Sequence, residues 1–264
     1  MASSLKINKP KLNEFIKFYC INFKDENRRE KMQNRWNVLG LDLKFVDPVE
    51  TSDSRFDIVR EYDANKGLRD WAIMLQHLDS LRDFVQLEYI VNEKNEYVII
   101  CEDDIMVSKH LPNDLPEIIE TYERLKLDVL LMGYLIPYKI TDDNHYYPLK
   151  ERNYKYSYHG YPGDIWGSQM YMVSRKHAEI LLQRYTVEYA LLSEKDFLDK
   201  DKDTDKDKEK EPFSPDWTLT KYGNRSVIYP MVALEEGNTK CDWDSEIDYH
   251  AKCFKMHYVE REFI

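Results

Sequence analysis

Tyr97-Val98-Ile99-Ile100-Cys101 is the segment that most restricts how this chain can fold, because an unbroken apolar run without polar alternation describes a strand covered on both faces. Strands of that kind lie inside sheets sandwiched between helices. The run leads directly into Glu102-Asp103-Asp104, three carboxylates at the rim of a low-dielectric core. Two further runs share the strand character: Phe15 to Phe23, rich in aromatic and β-branched residues, and Asp128-Val129-Leu130-Leu131-Met132, closed by Gly133.

Helical patterns separate these runs. Met32, Trp36 and Leu39 recur at helix spacing over residues 27–39, with Gly40 as a stop. A short strand is expected at Leu43-Lys44-Phe45-Val46. Leu68, Trp71, Leu75, Leu78 and Val85 line one face of a helix expected over 67–87, and another helix is expected around 115–125. Tyr171-Met172-Val173 reads as a strand followed by Ser174 as N-cap and a helix to about Tyr185. Strands alternating with helices imply an α/β, largely parallel sheet with helices on both faces. Ligands of such sheets bind beyond the carboxyl ends of the strands, where the triplet falls.

Residues 146–167, rich in tyrosine and glycine, are expected to be a loop that can cover a ligand. Residues 194–211 (EKDFLDKDKDTDKDKEKE) are expected to be a charged, disordered insertion. Their spaced aspartates do not make a calcium loop, since no glycine stands at the sharp turn. The remainder is expected to form one domain, 15–264, after an N-terminal extension of residues 1–14. A net charge of -11 argues against a nucleic-acid binder, which needs a basic stripe for phosphates. The start, MASSLKINKPKLNEF, has no apolar signal-peptide core, and no run reaches the length of a membrane span. A soluble, cytoplasmic protein is expected. Cys20, Cys101, Cys241 and Cys253 are too scattered for a disulfide framework, and without a C-x-x-C pair they do not suggest zinc.

Three adjacent carboxylates repel one another, and a divalent cation that favours oxygen ligands is the simplest compensation. Successive strand side chains point to opposite faces, so a continuing strand would put Glu102 and Asp104 on one side.

Five segments in order, FYCINFKDENRREKM (18–32), LQHLDSLRDFV (75–85), YVIICEDDI (97–105), GSQMYMVSRKHAEILL (167–182) and SPDWTLTKYG (214–223), resemble glycosyltransferase family 25. That family includes lipopolysaccharide glycosyltransferases and collagen β-galactosyltransferases. The resemblance implies a GT-A fold, a nucleotide diphosphate sugar donor such as UDP-galactose or UDP-glucose, Mn²⁺ (or Mg²⁺), and inversion at the anomeric carbon. Glu102-Asp103-Asp104 takes the place of the family's D-x-D-type motif, with Asp104 as direct metal ligand and Glu102 or Asp103 supporting it or touching the ribose. Asn22 and Arg28 or Arg29 would serve the nucleotide, an arginine being able to grip phosphate two-pronged. His77 matches the histidine of a Ser-His pair, although Gln76 replaces the serine and Ala72 stands where a cysteine is common. A C-terminal histidine, His250 or His257, would complete the metal site. Inversion needs a base for the acceptor hydroxyl of a glycan or a hydroxylysine-type side chain. Asp216 matches the family's late motif and is the first choice, Asp164 the alternative, and Trp166 or Trp217 could stack on a sugar. The competing readings are a metal-dependent phosphohydrolase and a noncatalytic sugar-nucleotide or glycan-binding domain.

Overall fold

The computed structural model describes residues 9–57, 68–86, 96–198, 212–236 and 244–264. Helix α1 (Lys9–Phe15) leads into strand β1 (Ile16–Ile21), helix α2 (Glu26–Leu39), the short strand β2 (Lys44–Phe45) and helix α3 (Leu68–Gln86). Strands β3 (Tyr97–Glu102) and β4 (Ile105–Val107) precede helix α4 (Leu111–Arg124) and strand β5 (Val129–Leu135). Strands β6 (Leu149–Arg152), β7 (Ser157–His159) and β8 (Trp166–Ser174) come next, then helices α5 (Arg175–Arg184) and α6 (Val187–Leu198). Strands β9 (Arg225–Tyr229) and β10 (Ala233–Glu235) and helix α7 (Asp244–His257) complete the described chain.

The main sheet has the order β2-β1-β3-β8-β5-β9-β7-β6. β1 runs parallel to β2 and β3, and β5 parallel to β9. β8 is antiparallel to both its neighbours, β3 and β5, and β7 to both of its own. Only β7 and β8 therefore oppose the other six strands. This is a mostly parallel, Rossmann-like α/β arrangement with helices on both faces. Because β8 runs backwards, its first residues, Trp166 to Ser168, lie at the same sheet edge as the last residues of β3.

The apolar run behaves as its composition demands. Val98, Ile99 and Ile100 are fully buried. Val98 and Ile100 pack with α3 residues Met74, Leu78 and Leu81 in one core, while Ile99 and Cys101 join Met32, Trp36, Leu115 and Ile118 of α2 and α4 in the other. Each such side chain contributes about 1.5–3 kcal/mol of transfer free energy, so the strand carrying the carboxylates is firmly held. α2 is capped by the Asp25 carboxylate, which accepts from the Arg28 N–H, and is stopped by Gly40 at φ 68°. Ser174 caps α5 by accepting from His177 N–H.

Several expectations change. The stretch 146–167 contains β7, which is buried, and the mostly exposed edge strand β6, whose Leu-Lys-Glu-Arg sequence offers no apolar run to mark it. β8 begins at Trp166, ahead of the strand expected at Tyr171. Residues 9–15 are part of the domain rather than an extension, since Leu12 is buried in the core beside Ile16; residues 1–8 lie outside the described residues. Of the charged stretch 194–211, residues 194–198 continue α6 and the rest lies outside them. Cys20, Cys101 and Cys253 are buried free thiols, and Cys241 is not among the described residues. Among these, no helix is long and apolar enough to cross a membrane.

Candidate active site

β3 ends at Glu102, and Asp103 and Asp104 form a turn before β4. Strand alternation therefore stops two residues short of deciding the triplet's geometry, and each carboxylate takes a different setting. Asp103 is buried and held from two sides: Asn22 Nδ2 donates to Oδ2 at 2.6 Å, and Arg28 Nη1 donates to Oδ1 at 2.9 Å. The same Arg28 nitrogen reaches Asp104 Oδ2 at 3.3 Å. The other oxygen, Asp104 Oδ1, is buried with no hydrogen-bond partner among the described residues. Glu102 accepts from Ser168 Oγ at 2.6 Å.

Glu235 is a member of this cluster that the sequence reading missed. β10 pairs antiparallel with β4, setting Glu235 opposite Ile105, and Glu236 N–H donates to the Asp104 carbonyl at 2.8 Å. The close approach needs Gly133: a Cβ there would stand 3.0 Å from the Ala233 carbonyl oxygen. The available signal was the run Met231 to Leu234 ending in two glutamates, a second apolar segment delivering carboxylates to the rim. Its brevity hid it.

The electrostatics reflect the crowding. Burial, then the neighbouring Asp104 and Asp216 charges, pushes the Glu102 carboxyl well above the usual range despite the Ser168 hydrogen bond, and Glu235 adds to the effect. Burial first and Glu235 second raise Asp104 to about 7, with Arg28 opposing and Asp103 adding. His250 Nδ1 lies 2.9 Å from both Glu235 oxygens, which ties α7 to the cluster.

The other expected site residues divide clearly. Asp216 reaches the cluster: its Oδ1 accepts from Gly167 N–H at 3.0 Å, and its charge acts on Glu102 and Tyr171. It is not spent capping its own turn. Asp164 is exposed on the loop before β8 and acts on Tyr147 and Tyr249 instead, and Trp166 beside it is 41% exposed. Arg29 turns away from the triplet and stacks on Phe45, 4.3 Å from the ring centroid. His257 Nε2 is engaged with the Ile136 carbonyl at 3.0 Å, an interaction that takes it away from the carboxylates. His77 is fully buried, against the expected contact with a donor: Nδ1 lies 3.0 Å from the OH of Tyr171, on which the Glu102 and Asp216 charges act. Burial lowers the His77 pKa to about 3, keeping the ring neutral. Gln76 ties the Asn22 and Asp47 carbonyls together, and Ala72 is packed in the core.

A hard-oxygen set with one imidazole suits Mn²⁺ or Mg²⁺, and the orphaned Asp104 Oδ1 is a donor without an occupation. Among the described residues, no three His, Cys, Asp or Glu side chains are already gathered as a metal-holding group. Their donor types suit such an ion, and the side chains would have to move to close on it.

No protein-family model matches the chain, and no curated protein matches it. Among solved structures, the chain is similar to the crystal structure of mannose-1-phosphate geranyltransferase from Thermus thermophilus, with 12% identity, 81% of this chain and 73% of that one covered, and a TM-score of 0.39. A likeness at that level carries no argument about function.

Proposed function

We propose that the protein is a metal-dependent, inverting glycosyltransferase resembling family 25, moving a hexose from UDP-galactose or UDP-glucose to a hydroxyl of a glycan or hydroxylysine-type acceptor. One observation carries the reading: Glu102, Asp104 and Glu235 are mutually repelling carboxylates at the carboxyl ends of the strands, and Asp104 Oδ1 is buried without a partner. A divalent cation among them would relieve that repulsion. Asp104, Glu102 and His250 would hold it, with Glu235 orienting the imidazole as carboxylates commonly do beside metal-bound histidines. When bound, the ion supplies positive charge for the departing diphosphate.

The remaining steps belong to side chains. Asp103, fixed by Asn22, holds Arg28 where its guanidinium can face phosphate oxygens. Asp216 takes the acceptor hydroxyl's proton as that oxygen attacks the anomeric carbon; Gly167 N–H anchors one carboxylate oxygen and leaves the second for the acceptor. Tyr171, positioned by neutral His77, lies within the field of the Glu102 and Asp216 charges.

The test is incubation with a panel of nucleotide sugars, with and without Mn²⁺, reading released nucleotide. Metal-dependent turnover of one donor, lost in a folded Asp104→Ala variant, supports the proposal. Turnover of simple phosphate esters alone would replace it with a phosphohydrolase, and donor binding without turnover would make this a binding domain.

A further inference from the structure

A cavity of about 500 Å³ opens beside the carboxylate cluster, between α2, β4 and α7. Its walls include Lys31 and Arg35 from α2, Lys255 and Phe254 from α7, Met106 from β4, and Glu236. Among the described residues, three cations therefore face one carboxylate in a chain whose overall charge is -11. The arrangement is regular. Arg28, Lys31 and Arg35 follow an i, i+3, i+7 spacing along one side of α2, a stripe of about 10 Å at about 1.5 Å per residue. The first cation serves Asp103 and Asp104, and the next two converge on Glu236.

Glu236 shows what these cations accept. Lys31 Nζ lies 2.5 Å from Glu236 Oε2, and Arg35 pairs with Oε1. Arg35, only 12% exposed in its side chain, is braced by donating to the Ile105 carbonyl at 2.7 Å, so its charge is fixed at the wall. Lys255 stands opposite with no ion-pair partner among the described residues. Beside the charges, Phe254 stacks on Tyr258 at 4.6 Å between centroids, giving a rigid apolar wall with Met106.

We infer that this cavity is a binding site for a small organic anion, a phosphate or carboxylate group carried on a ring or apolar body, separate from the carboxylate cluster. The anionic group meets Lys255 and the Lys31–Arg35 pair, and the body lies against Phe254 and Met106. The cluster next door repels anions in the absence of metal, so an anion in metal-free protein is directed to the cavity. The inference holds whether or not the neighbouring site transfers sugars.

Phenyl phosphate is the probe, titrated by calorimetry into the full chain with chelator present, with inorganic phosphate and phenol as comparisons. Saturable one-to-one binding is expected, tighter than for either comparison and weakened several-fold on raising ionic strength from about 50 to about 300 mM. Lys255→Glu should weaken it at least tenfold, and Lys31→Gln by a smaller factor; both residues are exposed, and unchanged thermal unfolding midpoints would show that the variants fold. Asp104→Asn should not weaken it. Absence of saturable binding overturns the inference, as does an affinity unaltered by Lys255→Glu. Phenol or inorganic phosphate binding as tightly as phenyl phosphate would also overturn it, and a loss in Asp104→Asn would place the ligand at the carboxylate cluster instead.

Discussion

Replacing Asp104 by asparagine should stabilise the metal-free protein at pH 8 and remove its response to Mn²⁺. Asp104 titrates at about 7 in the fold against 3.8 for the free side chain. At about 1.4 kcal/mol per pH unit, that difference corresponds to about 4 kcal/mol. The sign follows from which state releases its proton first. Below pH 3.8 the carboxyl is protonated in both states and contributes its full share to stability. Between 3.8 and 7 the unfolded chain ionises while the fold keeps its proton, so stability falls; above 7 the loss is complete. Asparagine imitates the protonated side chain at every pH, so the variant should match wild type near pH 4 and exceed it by about 4 kcal/mol at pH 8. His77 acts in the opposite sense. Its pKa of about 3 means that acidification below 6.5 favours the unfolded chain, which takes up a proton that the buried ring refuses. That term flattens the wild-type profile between pH 4 and 6.5, but it is common to both proteins and cancels in their difference. The assay is urea unfolding in chelator at intervals from pH 4 to 8, repeated with saturating Mn²⁺, which should stabilise wild type by about 2.7 kcal/mol at a hundredfold excess over its dissociation constant and leave the variant unmoved. Equal stabilities at pH 8, or a gap as large at pH 4 as at pH 8, would refute the reasoning.

Three further substitutions probe the surroundings. Asp216→Asn should lower kcat for sugar transfer by about 10²–10⁴-fold with the donor KM unchanged; steady-state release of nucleotide with acceptor present measures it, and an unaltered kcat would exclude Asp216 as the base. Tyr171→Phe leaves His77 Nδ1 buried without a partner and should cost about 1–3 kcal/mol in chemical denaturation. Gly133→Ala places a methyl group 3.0 Å from the Ala233 carbonyl, so β10 must give way at a cost of about 1–3 kcal/mol. Because Glu235 moves with β10, Mn²⁺ affinity measured by calorimetry should fall in that variant even where the protein remains folded.

The parts legible in the sequence are those whose physics is local. Tyr97 to Cys101 announces a doubly covered strand because every residue must be buried whichever way it points, and Met32, Trp36 and Leu39 announce a helix because their spacing repeats its turn. Ser174 and Gly40 mark ends through one side chain and one positive φ. What the sequence conceals depends on non-local pairing. β8 reads as an ordinary apolar strand, and nothing in Tyr171-Met172-Val173 states that it runs against β3 and β5. That reversal brings Ser168 to Glu102 and Gly167 to Asp216, so half of the candidate site follows from a direction with no sequence signature. The triplet illustrates the same division. Its position at a strand end was legible, whereas the assignment of roles by alternation was not, because the chain turns at Asp103 and hands the geometry to tertiary partners. Asn22 and Arg28 occupy Asp103, while burial, and after it Glu235, far away in the chain, raise Asp104. The Glu235 share of that perturbation depends on a glycine in β5 that lets β10 approach. Identical Glu-Asp-Asp triplets on similar strands would differ in chemistry wherever that approach is blocked, so the pairing of β10 with β4, rather than the triplet alone, is the feature on which metal binding should depend.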